Sequence, residues 1–317
     1  MHIPTTEITA LFKNITVNTI YRALYRSPST SEPSITDYII LELRDNRNEN
    51  LFVIPGHNEP KKGADLEWWI LYQGEKGEEM QAIHLRIQAK KQDPPGKRTP
   101  AKYTDINHYN EDGFQIDLLI SAAKDEKAIP LYCFYNRYFE GKTQKDIEDK
   151  AWKYAHAEDI DSTRDVNRKI NDDYKTLDEF ADPMHDLASI AEKEPKRIIN
   201  EFLDRNPGFK DIDYRHNQLP AYVLDQIVTD ELTSHPFMKK NEWFVDKVTE
   251  RILKNRKRDS DTFYVSVFGI GETIKFLGKI MNRFIKWLKE KMGFGVKNLP
   301  IIITVSKEPI FEKNNKV

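Results

Sequence analysis

Asp65-Leu66-Glu67-Trp68-Trp69-Ile70-Leu71-Tyr72 and Ile83-His84-Leu85-Arg86-Ile87-Gln88-Ala89-Lys90, separated by a turn that contains Gly74 and Gly77, decide how this chain folds. Both runs have strand composition, and the second alternates apolar and polar residues with a period of two. Ile83, Leu85, Ile87 and Ala89 therefore share one sheet face, and His84, Arg86, Gln88 and Lys90 the other. A turn centred near residue 76 makes paired positions add up to about 152. Asp65 then lies within one residue of Gln88 across the hairpin. On their strand Asp65 and Glu67 share a face.

Upstream of the hairpin, Ser34-Ile35-Thr36-Asp37 has capping-box spacing, and Ile35, Tyr38, Ile39 and Glu42 fall on one helical stripe behind it. Downstream, residues 113–123 read as a helix, and Pro130 opens Leu-Tyr-Cys-Phe-Tyr-Asn, a strand apolar enough to be buried on both faces. A hairpin followed by a strand–helix–strand crossover predicts an α/β fold, a mixed β-sheet flanked by helices. Composition shifts near residue 142. Residues 143–186 hold thirteen acids against seven bases and are expected to form exposed helices and loops. The expected division is a core over 1–142 and a mostly helical, α+β C-terminal extension over 143–317, with strands at 262–268 and 300–306.

Composition narrows the function classes. The formal charge of -2 excludes a uniformly basic nucleic-acid coat, so any anion site must come from local clustering. One cysteine, Cys133, excludes both a disulfide framework and a thiolate zinc module. The histidines are scattered, and no Walker-type loop is present. No apolar run reaches the length of a membrane span, so a cytoplasmic protein is expected. Trp68 and Trp69 point to opposite faces and are read as core. Residues 274–292 form a basic amphipathic pattern, read as a helix docked on a sheet with its lysines in water.

If residues 65 and 88 pair, two carboxylates, an amide and an ammonium converge at one end of the sheet. Glu42 would add a third acid. Hard divalent cations bind one or two carboxylates, a carbonyl and waters, and a nearby lysine can hold the attacking water during phosphodiester hydrolysis. The run from Arg86 to Lys102 is basic and suits phosphate contacts, or equally a solvated loop.

Gly63-Ala64-Asp65 followed by Gln88-Ala89-Lys90 resembles the PD-(D/E)XK restriction-endonuclease-like superfamily, in the Mrr-type form with Q-x-K in place of E-x-K. The segments GADLEWWI, LRIQAKK, QIDLLISAA and PLYCFYN are similar, in the same order, to an uncharacterised bacterial family. The resemblance spans roughly residues 30–137. It implies a restriction-endonuclease-like core with Asp65 as central metal acid, Gln88 at the place of the second acid, the Ala89 carbonyl completing the shell and Lys90 as catalytic lysine. Glu42 matches the helix acid, and Glu67 would compensate for the neutral amide. Gln115, Arg86 and Lys91 would line the pocket or contact phosphate. It further implies Mg²⁺ or Mn²⁺ as cofactor, nucleic acid as partner (DNA rather than RNA), a homodimer as one arrangement, and a role in bacterial defence. The competing reading is an inactive nucleic-acid- or protein-binding module on the same fold.

Overall fold

The computed structural model describes residues 7–45, 51–54, 64–73, 80–217, 219–220, 223 and 301–305. The expected strand at 262–268 and helix at 274–292 lie outside them. The chain opens with α1 (Ile8–Ile15), a π-helical stretch (Thr16–Tyr21) and α2 (Arg22–Arg26). Then come α3 (Glu32–Asp45), β1 (Leu51–Ile54) and the hairpin of β2 (Leu66–Gln73) and β3 (Met80–Lys91). A short 3₁₀ turn (Thr104–Asn107) and the small ribbon of β4 (Tyr109–Asn110) and β5 (Gly113–Phe114) lead into α4 (Gln115–Asp125) and β6 (Ile129–Tyr135). Beyond it lie α5 (Gln144–Lys150), β7 (Trp152–His156), α6 (Ala157–Asp161), α7 (Tyr174–Asp178) and β8 (Asp182–Pro183). The described part closes with α8 (Met184–Lys193), α9 (Pro195–Arg205), β9 (Arg215–His216) and β10 (Ile301–Val305).

One sheet organises these elements, in the order β1-β10-β2-β3-β6-β7-β8, with β9 paired to β3. It is mixed: β2 and β3 are antiparallel, whereas β3 and β6 run parallel. The expected α/β class, a mixed sheet flanked by helices, is what forms. The hairpin register pairs Leu66 with Ile87 and Glu67 with Arg86, one residue from the register expected of a turn centred at 76. Continuing it brings Asp65 to Gln88.

Alternation then divides the core. Ile83, Leu85, Ile87 and Ala89 join Trp68 and Ile70 on the face covered by α1, α3 and α8. The opposite face, under α4 and α6, is apolar where Tyr132, Phe134, Ile116 and Leu119 meet. Its β3 positions are polar yet buried: His84, Arg86, Gln88 and Lys90 are each at most 3% exposed. Both tryptophans are buried, as expected of core residues.

One expectation is corrected, and two further features carry the sheet past the expected core. The acidic stretch 143–186 is not simply exposed, because it contains β7, buried at every position and paired antiparallel with β6. Lys153 and His156 hid this strand by interrupting its apolar pattern, while the acids concentrate on the flanking helices. The sheet also crosses residue 142, from β6 to β7. Lastly, β10, expected in a C-terminal extension, lies inside the main sheet between β1 and β2. Among the described residues no helix is long and apolar enough to cross a membrane.

Phe12 links the first helix to both halves of the sheet. Its ring stacks on Trp68 of β2 at 5.3 Å and on Trp152 of β7 at 5.1 Å. Phe12→Ala should cost about 3–5 kcal/mol, since it removes a buried ring between two fixed indoles. Urea unfolding followed by tryptophan fluorescence would measure the loss.

Candidate active site

The site forms where β2 begins and β3 approaches its end, with α4 opposite. The amide of Asp65 donates to the carbonyl of Ile87 at 2.8 Å, which carries the hairpin register one residue past the last ladder pair. Its side chain is then drawn across the strands. Asp65 Oδ2 accepts from the Ala89 amide at 2.6 Å and from Nε2 of Gln88.

From Gln88 the network runs on. Gln88 Oε1 accepts from Nε2 of Gln115 at 2.7 Å, and Gln115 Oε1 accepts from the Lys90 ammonium at 2.7 Å. Its direction is set by its ends. A carboxylate only accepts and an ammonium only donates, so both intervening amides must point their NH₂ groups toward Asp65 and their oxygens toward Lys90. Gln115 reaches the site because it is the first residue of α4, where its backbone amide is taken by the His108 carbonyl. The structure thus brings together Asp65, Gln88, Ala89, Lys90 and Gln115.

Glu42 is not among them. The buried stripe of α3 is Ile35, Thr36, Ile39, Ile40 and Leu43, whereas Tyr38 and Glu42 are exposed. The helix starts earlier than its capping-box spacing suggested. The Ser31 hydroxyl accepts from the Ser34 amide at 3.3 Å, Glu32 is the first helical residue and Pro33 comes next. Thr36, not Tyr38, faces the sheet, with its hydroxyl 3.0 Å from that of Tyr135.

Glu32 is the helix acid that approaches the site. Its Oε2 accepts from the Lys91 amide at 2.8 Å. Burial pushes its carboxyl up to about 7, Lys90 opposes that rise, and the Asp65 carboxylate adds to it. Sequence reading missed this residue although Ser31-Glu32-Pro33 carries the signal, a hydroxyl cap followed by proline in the first turn. Lys91 also departs from expectation. Its ammonium donates to the carbonyls of Pro28 (3.3 Å) and Thr30 (3.0 Å), so it fastens the loop that presents Glu32.

Glu67 and Arg86 form a separate group farther along the same face. Glu67 accepts from Arg86 Nη1 at 3.4 Å and from Trp69 Nε1 at 3.3 Å, and His84 Nε2 lies 3.3 Å away. Arg86 Nη1 also donates to Glu126 at 2.5 Å. Ligand atoms of Glu67, His84 and Glu126 lie close enough to surround a cation, but the Arg86 guanidinium already bridges the two carboxylates. Arg86 is 2% exposed and occupied, which removes it from the expected phosphate contacts.

The residues present fit a hard cation. Asp65 and Glu32 offer carboxylates, and Ala89 a carbonyl. Tyr132, paired in register with Gln88 on β6, adds a buried hydroxyl without a hydrogen-bond partner among the described residues. Burial first, then the Asp65 charge, raises that phenol. The Gln88 amide oxygen would join an ion's shell only if the amide turned away from Gln115.

A family model described as a family of unknown function (DUF6615) matches residues 12–261. The chain belongs to that family. The matched span contains every residue of the candidate site. No curated protein matches the chain, and no solved structure does.

A carboxyl whose pKa is higher in the folded protein contributes stability below its unfolded value and loses it as pH rises through the folded one. For Glu32 that window runs from 4.5 to about 7. Glu32→Gln should therefore gain stability over the parent between pH 5 and pH 8, on the order of 2 kcal/mol, read as diverging thermal midpoints. Arg86→Met should cost about 3 kcal/mol by leaving two facing carboxylates without their cation, and denaturant titration at pH 7 would show it.

Proposed function

We propose that the protein is a phosphodiester hydrolase of the PD-(D/E)XK type, dependent on Mg²⁺ or Mn²⁺ and acting on nucleic acid, with DNA favoured over RNA on the sequence resemblance. The observation that carries this reading is the continuous network from Asp65 through Gln88 and Gln115 to Lys90. It gathers at one sheet end the acid, amide, carbonyl and lysine that the resemblance names. The order of elements agrees: a helix with an acid at its start, the hairpin, then a helix and a strand parallel to β3.

In this reading Asp65 and Glu32 would hold the cation, with the Ala89 carbonyl beside them. When bound, the ion would lower the pKa of a water and offset charge on the phosphate. Lys90, 3% exposed, would hold the attacking water through its ammonium. Gln115 fixes that ammonium at 2.7 Å and so sets its direction. Glu32, with its carboxyl near neutrality before a cation arrives, would lose its proton on metal capture. A role in defence against foreign DNA accords with the same resemblance.

One observation favours a second reading, a nucleic-acid-binding module without cleavage. Gln88 offers an amide NH₂ to Asp65 where a second carboxylate would repel it, so the network holds together without a cation.

Cleavage of supercoiled, linear and single-stranded DNA and of RNA, with Mg²⁺, Mn²⁺ or EDTA, separates the two. The hydrolase reading expects metal-dependent cleavage that falls at least about a hundredfold in Lys90→Ala. Salt-sensitive binding that persists in EDTA, with no cleavage under any condition, would select the binding module.

A further inference from the structure

Beyond the end of β3 lies a groove of about 850 Å³, outside the candidate active site. Rings dominate its walls: Tyr21 and Tyr25 from the first helices, Tyr138 after β6, and Tyr174 from α7. Tyr25 is 63% exposed, and its ring stacks on that of Tyr21 at 6.0 Å.

Cations sit among these rings. The Arg137 guanidinium lies 5.6 Å from the Tyr25 ring and 5.2 Å from that of Tyr138. The Lys142 ammonium lies 5.6 Å from Tyr21 and 4.3 Å from Phe139. Nη1 of Arg137 is buried without a hydrogen-bond partner among the described residues. Burial, then Arg137 and Lys150, holds the Lys142 ammonium below its ordinary range while Asp146 opposes the shift, and the ammonium donates to the Arg137 carbonyl at 3.3 Å. Of the two acids in the lining, Asp178 is held by Lys153 at 2.5 Å.

The groove is tied to the candidate active site. Gln92 Oε1 accepts from the amides of Arg137 (2.9 Å) and Tyr138 (2.6 Å), clamping the groove floor to the residue that follows β3, two beyond Lys90. That is about 7 Å of extended chain. Pro95 and Pro100 form another wall, and between them the loop carries the exposed Lys97 and Arg98.

Flat rings interleaved with cations match one chemistry, a base bearing a phosphate. We propose that this groove binds an unpaired nucleotide of a single-stranded nucleic acid, its base against the tyrosines and its phosphates on Arg137 and Lys142. A paired base is stacked on both faces within a duplex and cannot present itself to these rings. The assignment deepens the hydrolase reading by naming single-stranded or locally opened strands as substrate. It rests on that reading for the cleavage step alone, not for binding.

The test is fluorescence anisotropy of the full chain in EDTA with labelled oligo-dT, oligo-rU and a duplex of equal length. Single strands should bind at least about tenfold more tightly than the duplex, with the two sugars separating DNA from RNA. Tyr25→Ala combined with Tyr138→Ala should weaken single-strand binding on the order of tenfold or more, and Tyr25→Phe should retain it. Lys142→Glu should weaken binding and reduce its salt slope by about one. Circular dichroism melts establish that each variant folds. Equal affinity for duplex, indifference to ring removal, or displacement by polyglutamate as effective as by oligo-dT would overturn the proposal. Cleavage assays on the same variants keep the two readings apart. Ring-dependent binding without metal-dependent cleavage would leave the groove and remove the hydrolase. Cleavage lost in Lys90→Ala, with binding unchanged by the tyrosine substitutions, would do the reverse.

Discussion

Everything at the candidate site depends on the pairing of β2 with β3. In the observed register Leu66 faces Ile87, and the next step places Asp65 against Gln88 with its carboxylate on the amide of Ala89. A slip of one residue would turn Gln88 and Lys90 to the face occupied by Trp68, Ile70 and α1, and bring Ile87 and Ala89 to face α4. The register is protected from both sides, because Trp68 stacks under Phe12 on one face while Glu67 and Arg86 pair on the other. The same alternation that fills the core therefore aims the polar residues.

Two solutions to the burial of charge stand next to each other on that polar face. Around Glu67 the answer is direct neutralisation, with a guanidinium between two carboxylates and a stacked indole and imidazole sealing it, Trp69 on His84 at 4.0 Å. Around Asp65 the opposite charge is kept at a distance, and two glutamines transmit hydrogen bonds between carboxylate and ammonium. The first arrangement is closed and suits a structural role. The second leaves each end with remaining coordination capacity, and a second acid, Glu32, stands close enough to interact with both.

Much of this could be read in the sequence, for identifiable reasons. Period-two alternation in residues 83–90 is unambiguous, and glycines in the connecting turn located the hairpin to within one residue. The helix of Gln115 and the apolar strand after it emerged from pattern alone. Failure came where local signals compete. Ser34 and Ser31 both offer a hydroxyl before a helix, and the later one leaves Glu32 outside it, while Ile35 and Ile39 fit a stripe through Tyr38 and Glu42 as well as the observed one through Thr36, Ile40 and Leu43. Residues 152–156 carry Lys153 and His156 inside a buried strand, so composition mistook an interior element for surface. Arg86 looks like any basic residue near a phosphate site until its partner Glu126, distant in sequence, is seen. The aromatic groove draws its walls from the first helices, the loop after β3, the end of β6 and α7, and no linear motif spans such a set.

The place of β10 has a consequence for how the protein is made. Residues 301–305 pair in parallel with β2, the strand that positions Asp65, and antiparallel with β1. Parallel pairings across so long a separation form slowly and depend on the whole intervening chain. During synthesis the hairpin leaves the ribosome with β3 and the rest of the sheet on one side and an open edge on the other. Only when residues 301–305 have been translated does β2 acquire its second neighbour. Until then the nascent chain carries an exposed strand edge beside the candidate active site, open to pairing with other chains.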